Sequence, residues 1–331
     1  MNPLVSVVVP AHNVRNFLKS CIESISCGDY SNIELILVEN GSNDGTAELA
    51  IDLAKLDSRI RLFQIPADGV ATARNFGISK ARGEYICFVD ADDIVAKDYV
   101  SHLVTSIQKY DADISVALTV KTFNDESEIT NNGSGLSKSF LGSSELALSK
   151  ILLYKMKESS FSKLFKTRFL IDNDIMFNPE LYVGEGFNFN VLAFSKTNRI
   201  SISNKIIYYY RVSNPKSAMT LVRSDKLENG LSAMEVMGGT LKFSSENIKR
   251  DFSYAVWHTN FDFLMILLGG KQDKENSVLY RRLESESKKG FRAASKVNIG
   301  FKDKVKAYAT SISPRLCALV FNKLRKRKFT L

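Results

Sequence analysis

The first 120 residues alternate between two hydrophobic periods, and this alternation limits the fold more than any other feature of the sequence. Short apolar runs predict strands at Val5–Val9, Glu34–Val38, Arg61–Ile65, Tyr85–Val89 and Ile114–Val120. Between these runs, apolar residues recur at helical spacing, as they do at Phe17, Cys21, Ile22 and Ile25. Strands that alternate with helices over short links favour right-handed crossovers and a mostly parallel sheet. The sequence therefore predicts an α/β fold with helices flanking the sheet.

The strand predicted at Tyr85–Val89 ends in three carboxylates, Asp90, Asp92 and Asp93. A buried parallel strand delivers the residues after it to the carboxyl edge of the sheet, where open α/β folds bind ligands. Two carboxylates spaced i, i+2 can share one divalent cation, which completes its shell with water and substrate phosphates. The pattern predicts a metal–diphosphate site at Asp90 and Asp92. A solvated turn with a capping acid is the alternative.

Two other Asp-x-Asp pairs in the chain provide an internal comparison. Asp111 and Asp113 precede an apolar run, so they lie at the opposite end of a predicted strand. Asp172 and Asp174 lie in a polar break. We expect both pairs to be turn residues rather than ligands.

Polar loops also follow the first two predicted strands. The first loop contains His12 and Asn13 after Pro10 and Ala11, and the second runs from Glu39 to Gly45. Because parallel strands share a carboxyl edge, we expect both loops to converge with the aspartates in one crevice. Turn formation by Asn-Gly and Asp-Gly explains each loop separately, but it does not explain why they share an edge.

Composition limits the class of protein. With 44% hydrophobic and 24% charged residues, the 331-residue chain is typical of a soluble globular protein. No run approaches the roughly 20 apolar residues of a membrane span, and no signal sequence is evident. The four cysteines lack zinc or CxxC spacing, so we expect a reduced, cytoplasmic setting.

The net charge of +9 is concentrated at the C-terminal end. Residues 302–328 contain nine basic side chains and one acid, so the rest of the chain is close to neutral. This distribution argues against a nucleic-acid partner for the main site. Apolar residues in the same tail recur at three- and four-residue steps, and Ser313-Pro314 predicts the start of a second tail helix.

Four blocks over about 90 residues resemble a known family. They are Val5–Asn13, Leu37–Thr46, Gly69–Gly77 and Gly83–Asp93. In this order they resemble the inverting nucleotide-sugar glycosyltransferases of family 2, which have the GT-A fold, a Rossmann-like α/β sheet. Weaker similarity at Phe161–Phe165, Gly184–Gly186 and Tyr209–Arg211 resembles bacterial capsule and exopolysaccharide transferases.

The resemblance implies site residues and a cofactor. It implies that Glu39 accepts a hydrogen bond from uracil, that Arg74 lines the base and diphosphate, and that Asp90 and Asp92 hold ribose and a Mn or Mg ion. Asp92 and Glu185 are the implied catalytic residues. The other implied donor-binding residues are Pro10, Ala11, His12, Asn13, Asn40, Gly41, Ser42, Asp44, Ala91 and Arg211.

Two departures from the family pattern affect these roles. Glu39-Asn40 stands where the family usually has Asp-Asp, and Glu39 keeps the acceptor on a longer side chain. Glu185-Gly186 stands where the family commonly has Glu-Asp and uses the Asp as general base. Glu185 could act as the base, or it could only fix its loop. Lys163 and Arg211 could bind phosphate or acceptor, or be surface charges.

The resemblance also implies an organisation and a function. Residues 1–120 would form the nucleotide-sugar half and residues 121–220 the acceptor half, and residues 221–331 would form a helical region with a basic amphipathic tail. The expected reaction is transfer of a sugar from a nucleotide donor, preferably UDP, to a polysaccharide or lipid-linked glycan with inversion. A catalytically weak nucleotide-sugar-binding relative is the alternative.

Two further expectations concern an alternative enzyme class and the location of the protein in the cell. A Rossmann dehydrogenase is disfavoured because no G-x-G-x-x-G follows the first strand. The tail predicts peripheral attachment to an anionic membrane surface on the inner face of the cell membrane. A solvated basic end on a packed helix is the alternative.

Overall fold

The computed structural model describes residues 2–129, 138–212 and 224–329, with side chains as far as Leu324. Its strands are β1 (Val5–Ala11), β2 (Ile33–Asn40), β3 (Ile60–Ile65), β4 (Tyr85–Phe88), β5 (Ile94–Val95), β6 (Ile114–Ala117), β7 (Lys121–Phe123), β8 (Ser139–Gly142), β9 (Lys163–Lys166), β10 (Ile200–Ser203) and β11 (Tyr208–Arg211).

The helices of the N-terminal part are α1 (Arg15–Ser26), α2 (Thr46–Leu56), α3 (Gly69–Lys80), α4 (Tyr99–Lys109), α5 (Ser144–Leu152), α6 (Thr167–Asp172) and α7 (Glu185–Ser195). Those of the C-terminal part are α8 (Ser224–Thr240), α9 (Glu246–Gly269), α10 (Ser277–Ser287), α11 (Gly290–Ala294), α12 (Phe301–Ile312) and α13 (Pro314–Phe329).

A large, mostly parallel sheet organises the N-terminal part, as the sequence predicted. Its strand order is β3-β2-β1-β4-β9-β6-β10-β8, and β9 and β8 run antiparallel to their neighbours. Strand β1 pairs in parallel with β2 on one side and β4 on the other. The carboxyl ends of these three strands therefore lie side by side.

The central strands are buried because helices cover them. All eight residues of β2 and all four of β4 are buried, which explains why residues 35–38 of β2 and the whole of β4 are apolar. Helix α1 buries Leu18, Cys21 and Ile22 in the same core. Two predicted strands end slightly earlier than expected, β4 at Phe88 and β6 at Ala117.

A small second sheet lies close to the polar turn that follows β4. Its order is β5-β11-β7, with β11 antiparallel to β5 and parallel to β7. Strand β5 begins at Ile94, directly after the three aspartates. This sheet brings Tyr208 and Arg211 of β11 to the turn, since both residues bond to it.

The chain divides into two compact units. Unit 1 comprises Met1–Ala147 and Met156–Pro215, and unit 2 comprises Leu148–Lys155 and Lys216–Leu331. The three-part functional division at residues 120 and 220 stays a prediction, because it concerns roles rather than compactness.

Unit 2 is helical from α8 to α13. Trp257 of α9 is buried, stacks on Phe261 at 6.0 Å between ring centroids, and donates a hydrogen bond from Nε1 to the Ser287 carbonyl. Trp257 therefore belongs to the core of unit 2. The two predicted tail helices are present as α12 and α13. In the described part of the chain, no helix is long and apolar enough to cross a membrane.

Candidate active site

The loops after β1 and β2 are hydrogen-bonded to each other at the carboxyl edge of the sheet. The Nδ1 atom of His12 lies 2.7 Å from the Asn40 carbonyl oxygen. The Asn13 amide donates to Ser42 Oγ at 3.1 Å, and Asn13 Oδ1 accepts from the Asn43 amide at 2.9 Å. The structure therefore brings together the two loops that the sequence predicted to converge.

The second loop is also held by its own side chains. The buried carboxylate of Glu39 accepts a hydrogen bond from the Ser42 amide at 2.6 Å. Gly41 has a φ of +64°, and a Cβ there would lie 2.6 Å from the Ala67 amide nitrogen. Asp44 accepts hydrogen bonds from the amide and hydroxyl of Thr46 at the start of α2. These contacts give the loop one defined shape beside Pro10 and Ala11.

Arg74 links two carboxylates that are distant in the sequence. Its Nη2 donates to Asp90 Oδ1 at 2.7 Å, and its Nη1 donates to Glu185 Oε1 at 2.9 Å. The side chain is only 4% exposed and lies over the Phe177 ring at 5.2 Å. Burial lowers the pKa of the guanidinium, but the two carboxylates outweigh it and raise the pKa overall. Arg74 thus joins a candidate metal ligand to the candidate base.

The turn after β4 carries the aspartates. The Val89 amide donates to the Val8 carbonyl, and the Asp93 amide closes the turn by donating to the Asp90 carbonyl at 3.0 Å. Ala91 is buried within the turn, while Asp90 and Asp92 are half-buried. The Sγ of Cys21 lies 3.5 Å from the Asp90 carbonyl on the core side.

Asp93 is fully buried and has a different environment. Its carboxylate accepts from the Tyr208 hydroxyl at 2.8 Å and from the Arg211 amide at 2.8 Å. Burial raises the pKa of Asp93 well above its ordinary value, and Asp92 and Asp90 raise it further, against the two hydrogen bonds. Burial also raises the pKa of the Tyr208 phenol, and the charges of Asp93 and Asp90 raise it further. Asp93 therefore bonds inside the protein rather than facing a ligand.

Arg211 is buried as well. Its Nε donates to the Asp92 carbonyl at 2.8 Å, and its Nη2 pairs with Glu126 at 2.6 Å. Its guanidinium lies 4.8 Å from the Phe17 ring centroid and 4.5 Å from that of Phe123. The surface-charge alternative is wrong for Arg211.

Lys163 of β9 is also buried, so that alternative is wrong for it too. Its side chain is 1% exposed, and Nζ donates to the carbonyls of Lys157 at 3.0 Å, Ser159 at 2.7 Å and Phe161 at 3.3 Å. Desolvation lowers the pKa of Lys163 from 10.5 to about 7, against a smaller opposing effect of Glu158. Lys163 therefore fixes the loop that precedes its own strand.

Glu185 and Gly186 begin α7 beside that loop. Gly184 before them has a φ of 82°, a left-handed conformation that favours glycine. A Cβ on Gly186 would lie 3.1 Å from the Ser160 amide nitrogen and 3.3 Å from the Ser159 Cα. The missing side chain at Gly186 thus coincides with close backbone packing.

The donor set fits a cation that needs few protein ligands. In the described ranges, no three or more His, Cys, Asp or Glu side chains group so that they could hold a metal ion. Asp90 and Asp92 supply hard oxygen atoms, and one oxygen of Asp90 already accepts from Arg74. Mg²⁺ commonly takes one or two carboxylates and completes its shell with water and phosphate oxygens, whereas structural zinc needs four protein ligands.

The other Asp-x-Asp pairs have different surroundings. Asp111 and Asp113 both pair with Lys166 at the amino end of β6, and Asp113 also accepts from Thr197. Asp174 has a φ of 52°, as expected of a turn residue. These contacts agree with the structural roles that the sequence predicted.

Sequence reasoning missed Asp93 and Tyr208 as parts of the site. Both were visible as letters, in Asp92-Asp93 and in the run Tyr208-Tyr209-Tyr210-Arg211. Nothing in the sequence pairs them, since the contact depends on the β5–β11 register, in which Tyr208 lies opposite Val95.

An open sheet with amides and carboxylates at its carboxyl edge is the arrangement of nucleotide-binding α/β proteins. Residues 6–182 match glycosyl transferase family 2, and the chain belongs to that family. The resemblance noted in the sequence is thereby confirmed.

Individual proteins support the same assignment. The chain is 31% identical to the glycosyltransferase EpsJ of Bacillus subtilis over 66% of its own length, and it spans less than two thirds of EpsJ, 63%. Staphylococcus aureus TarS 1-349, solved with UDP-GlcNAc, has a TM-score of 0.69 at 19% identity over 96% of this chain and 91% of TarS. The mannosyltransferase PcManGT of Pyrobaculum calidifontis, solved with GDP-Man and Mn²⁺, has a TM-score of 0.53 at 15% identity over 98% and 88%. These two likenesses show that the fold is GT-A.

Proposed function

We propose that this protein transfers a sugar from a nucleotide donor, preferably UDP, to a polysaccharide or lipid-linked glycan acceptor with inversion. One observation carries the proposal. Arg74 lies at the carboxyl edge of the sheet, and it binds both the aspartate turn and Glu185. A donor diphosphate at the turn would then lie within reach of a carboxylate that can take a proton from the acceptor.

The donor pocket is formed by the three loops at this edge. Pro10, Ala11, His12 and Asn13 would border the nucleotide, and residues 39–44 would face the base and ribose. The UDP-GlcNAc bound by TarS, which shares the fold, supports a uridine donor. Glu39 bonds to its own loop at the Ser42 amide, and a carboxylate can accept more than one hydrogen bond.

Asp90 and Asp92 would hold a divalent cation, which would neutralise the charge that develops on the leaving diphosphate. The Mn²⁺ in PcManGT supports the proposal for this fold. Arg74 adds positive charge beside Asp90, and a preorganised cation stabilises developing negative charge. Arg211 would contribute through the Asp92 carbonyl rather than through direct contact with the donor.

Glu185 would act as the general base. The acceptor hydroxyl gives its proton to the carboxylate while its oxygen bonds to the anomeric carbon. The bond from that carbon to the diphosphate breaks on the opposite face, and its electron pair leaves with the diphosphate. Attack opposite the leaving group inverts the carbon. A base must come within about 3 Å of the proton it takes, so Glu185 would exchange contact with Arg74 for contact with the acceptor.

A second candidate is a nucleotide-sugar-binding relative with weak or no transfer. Two observations favour it: Glu185 is already paired with Arg74, and the Gly186 position has little room for a side chain. Both candidates share the donor pocket and differ only in chemistry.

A panel of UDP- and GDP-sugars, with released nucleotide measured in Mn²⁺ and Mg²⁺, tests the proposal. We expect release with a UDP-sugar that depends on the cation. Asp92→Ala should abolish it in a folded protein, whereas Asp113→Ala, at the opposite edge of the sheet, should leave it unchanged. Donor binding without release would favour the second candidate, and equal losses in both variants would contradict the metal assignment.

The tail adds a proposed location. Apolar side chains of α12 and α13 are exposed, including Ile312 at 68% and Leu316 at 62%. The other face of α13 is buried in unit 2 at Ala318, and Phe321 contacts Phe261. Exposed apolar side chains insert into the bilayer surface, and a basic cluster is attracted to anionic lipid. Two such weak contributions together hold a protein at a membrane. We propose attachment to the inner face of the cell membrane, where lipid-linked acceptors would be available.

A further inference from the structure

The turn that carries Asp90 and Asp92 receives hydrogen bonds from β11. Within the turn, the Asp93 amide donates to the Asp90 carbonyl. From β11, the Tyr208 hydroxyl and Arg211 contact all three aspartates. The shape of the turn therefore depends on a strand that comes much later in the sequence.

Tyr208 bonds to the turn at two points. Its hydroxyl oxygen accepts a hydrogen bond from the Asp90 amide at 3.1 Å, and the same hydroxyl donates one to Asp93 Oδ2 at 2.8 Å. The ring is fixed by stacking on Phe161, with centroids 4.2 Å apart and planes 7° apart. One hydroxyl thus fixes the backbone of Asp90 and the side chain of Asp93.

Arg211 donates two more hydrogen bonds to the turn. Its amide donates to Asp93 Oδ1, and its Nε donates to the Asp92 carbonyl. The guanidinium cannot move freely, because it lies between Phe17 and Phe123 and pairs with Glu126. The backbone of Asp92 is therefore held from the same strand as that of Asp90.

We propose that β11 is the support that sets the geometry of the diphosphate–metal site, with Tyr208 and Asp93 as positioning residues. The effect on donor and metal binding rests on the proposed function, whereas the hydrogen bonds between β11 and the turn do not depend on it. Ligating carboxylates need placement within about 0.5 Å, and a turn that is held at several points supplies it before the ligand arrives. Asp93 is the buried acceptor that keeps Tyr208 and the Arg211 amide in place.

The first test measures the turn without any ligand. Hydrogen–deuterium exchange should show the amides of residues 90–93 exchanging about fivefold faster or more in Tyr208→Phe, the size of one lost hydrogen bond. Tyr99→Phe is the matched control. Tyr99 is buried like Tyr208, but its hydroxyl lies 3.4 Å from the Phe88 carbonyl, before the turn. Unchanged exchange in Tyr208→Phe would overturn the proposal.

The second test measures UDP binding by calorimetry across a Mn²⁺ titration. In Tyr208→Phe, the Mn²⁺ concentration for half-maximal binding should rise about fivefold or more. Affinity at saturating Mn²⁺ should return to within about twofold of the native value, which a general loss of folding would not allow. Tyr99→Phe should match the native protein at every Mn²⁺ concentration. Equal titrations for all three proteins would contradict the positioning role.

A second variant covers the case in which Tyr208→Phe folds poorly. Asp93→Asn has the same size but keeps only one acceptor oxygen, so it cannot accept from both the Tyr208 hydroxyl and the Arg211 amide. It should shift exchange and the Mn²⁺ titration in the same direction. If the native protein binds no UDP at any Mn²⁺ concentration, the proposed donor is wrong. The exchange measurement, made without ligand, still decides the role of β11.

Discussion

Arg74 shows at the scale of single residues how the site joins distant parts of the sequence. Its position in the block Gly69–Gly77 was predicted to line the donor. The contact with Glu185 was not predicted, because nothing in the sequence relates α3 to α7. Physically, a buried guanidinium needs carboxylate partners, and the structure provides two. The position of Glu185 is thereby fixed by Arg74.

Replacing Glu185 tests whether it is the base. In Glu185→Gln, turnover should fall by roughly 10²–10⁴-fold, the range for losing a general base. The donor KM should change little, because the amide can still accept a hydrogen bond from Arg74. Steady-state kinetics with a productive donor and acceptor measures both constants.

Glu180→Gln is the control for this prediction, because Glu180 is an exposed acid shortly before α7. It should retain native turnover. A near-native rate for Glu185→Gln would assign the proton transfer to another group and leave Glu185 as a partner of Arg74.

At the scale of elements, the loop 157–161 is held in place by the buried side chain of Lys163. Lys163 donates to three of its carbonyls, and Asn190 of α7 donates to the carbonyls of Glu158 and Ser159. The loop is therefore held from β9 and from α7 at once. Gly186 packs against the same loop, so the start of α7 and the position of Glu185 depend on it.

Lys163→Met should destabilise the protein by about 1–3 kcal/mol, because buried carbonyls lose their donor. The loss should grow with pH. The folded pKa of about 7 is below the ordinary 10.5, so the unfolded state binds the extra proton between these values. Native stability then rises with pH across that window, and the variant lacks this rise. Urea unfolding at pH 6.5 and pH 9 measures the difference.

Lys166→Met is the matched control for Lys163→Met. Lys166 is in the same strand but is partly exposed and paired with Asp111 and Asp113. Its effect on the free energy of unfolding should be similar at both pH values. A pH-independent loss in Lys163→Met would contradict the lowered pKa.

The elements differ in how far the sequence could predict them. Strands β1, β2 and β4 were evident because burial on both faces gives each of them an uninterrupted apolar run, at residues 7–9, 35–38 and 85–88. Periodicity did not reveal α3, because it buries small residues such as Ala71, Ala73 and Gly77 that give a faint apolar pattern. A Cβ on Gly77 would lie 2.3 Å from Val8 Cγ1, which explains the glycine. The support from β11 was not predictable, since it depends on long-range register.

On the scale of the whole molecule, the charge distribution and the helical tail were predicted from the sequence, and the structure adds which side chains are exposed. Leu319, Val320 and Leu324 are each close to half exposed. We assign these side chains to the proposed membrane-binding surface, because large exposed apolar patches are typical of interaction sites. The side chains of the basic run 325–328 lie outside the described residues.

Membrane attachment is tested by sedimentation with anionic liposomes. The full chain should bind at low salt and dissociate as salt rises, because screening weakens charge attraction. Replacing Leu316 and Val320 with serine should reduce binding, and neutral replacements at residues 323–328 should reduce it by about 1 kcal/mol per charge. Phe243→Ser, which alters an exposed aromatic residue outside the two tail helices, should bind normally. Failure of the native chain to sediment at low salt would exclude the membrane proposal.

The position of Trp257 has an optical consequence. It is the only tryptophan in the sequence, and it is buried in the helical unit 2. The fluorescence of Trp257 therefore reports the unfolding of unit 2. The residues proposed to hold the donor belong to unit 1, which contains no tryptophan. A denaturation curve followed by tryptophan fluorescence and one followed by far-ultraviolet circular dichroism would coincide only if both units unfold together. A gap between the two midpoints would show that unit 1 and unit 2 unfold independently of each other.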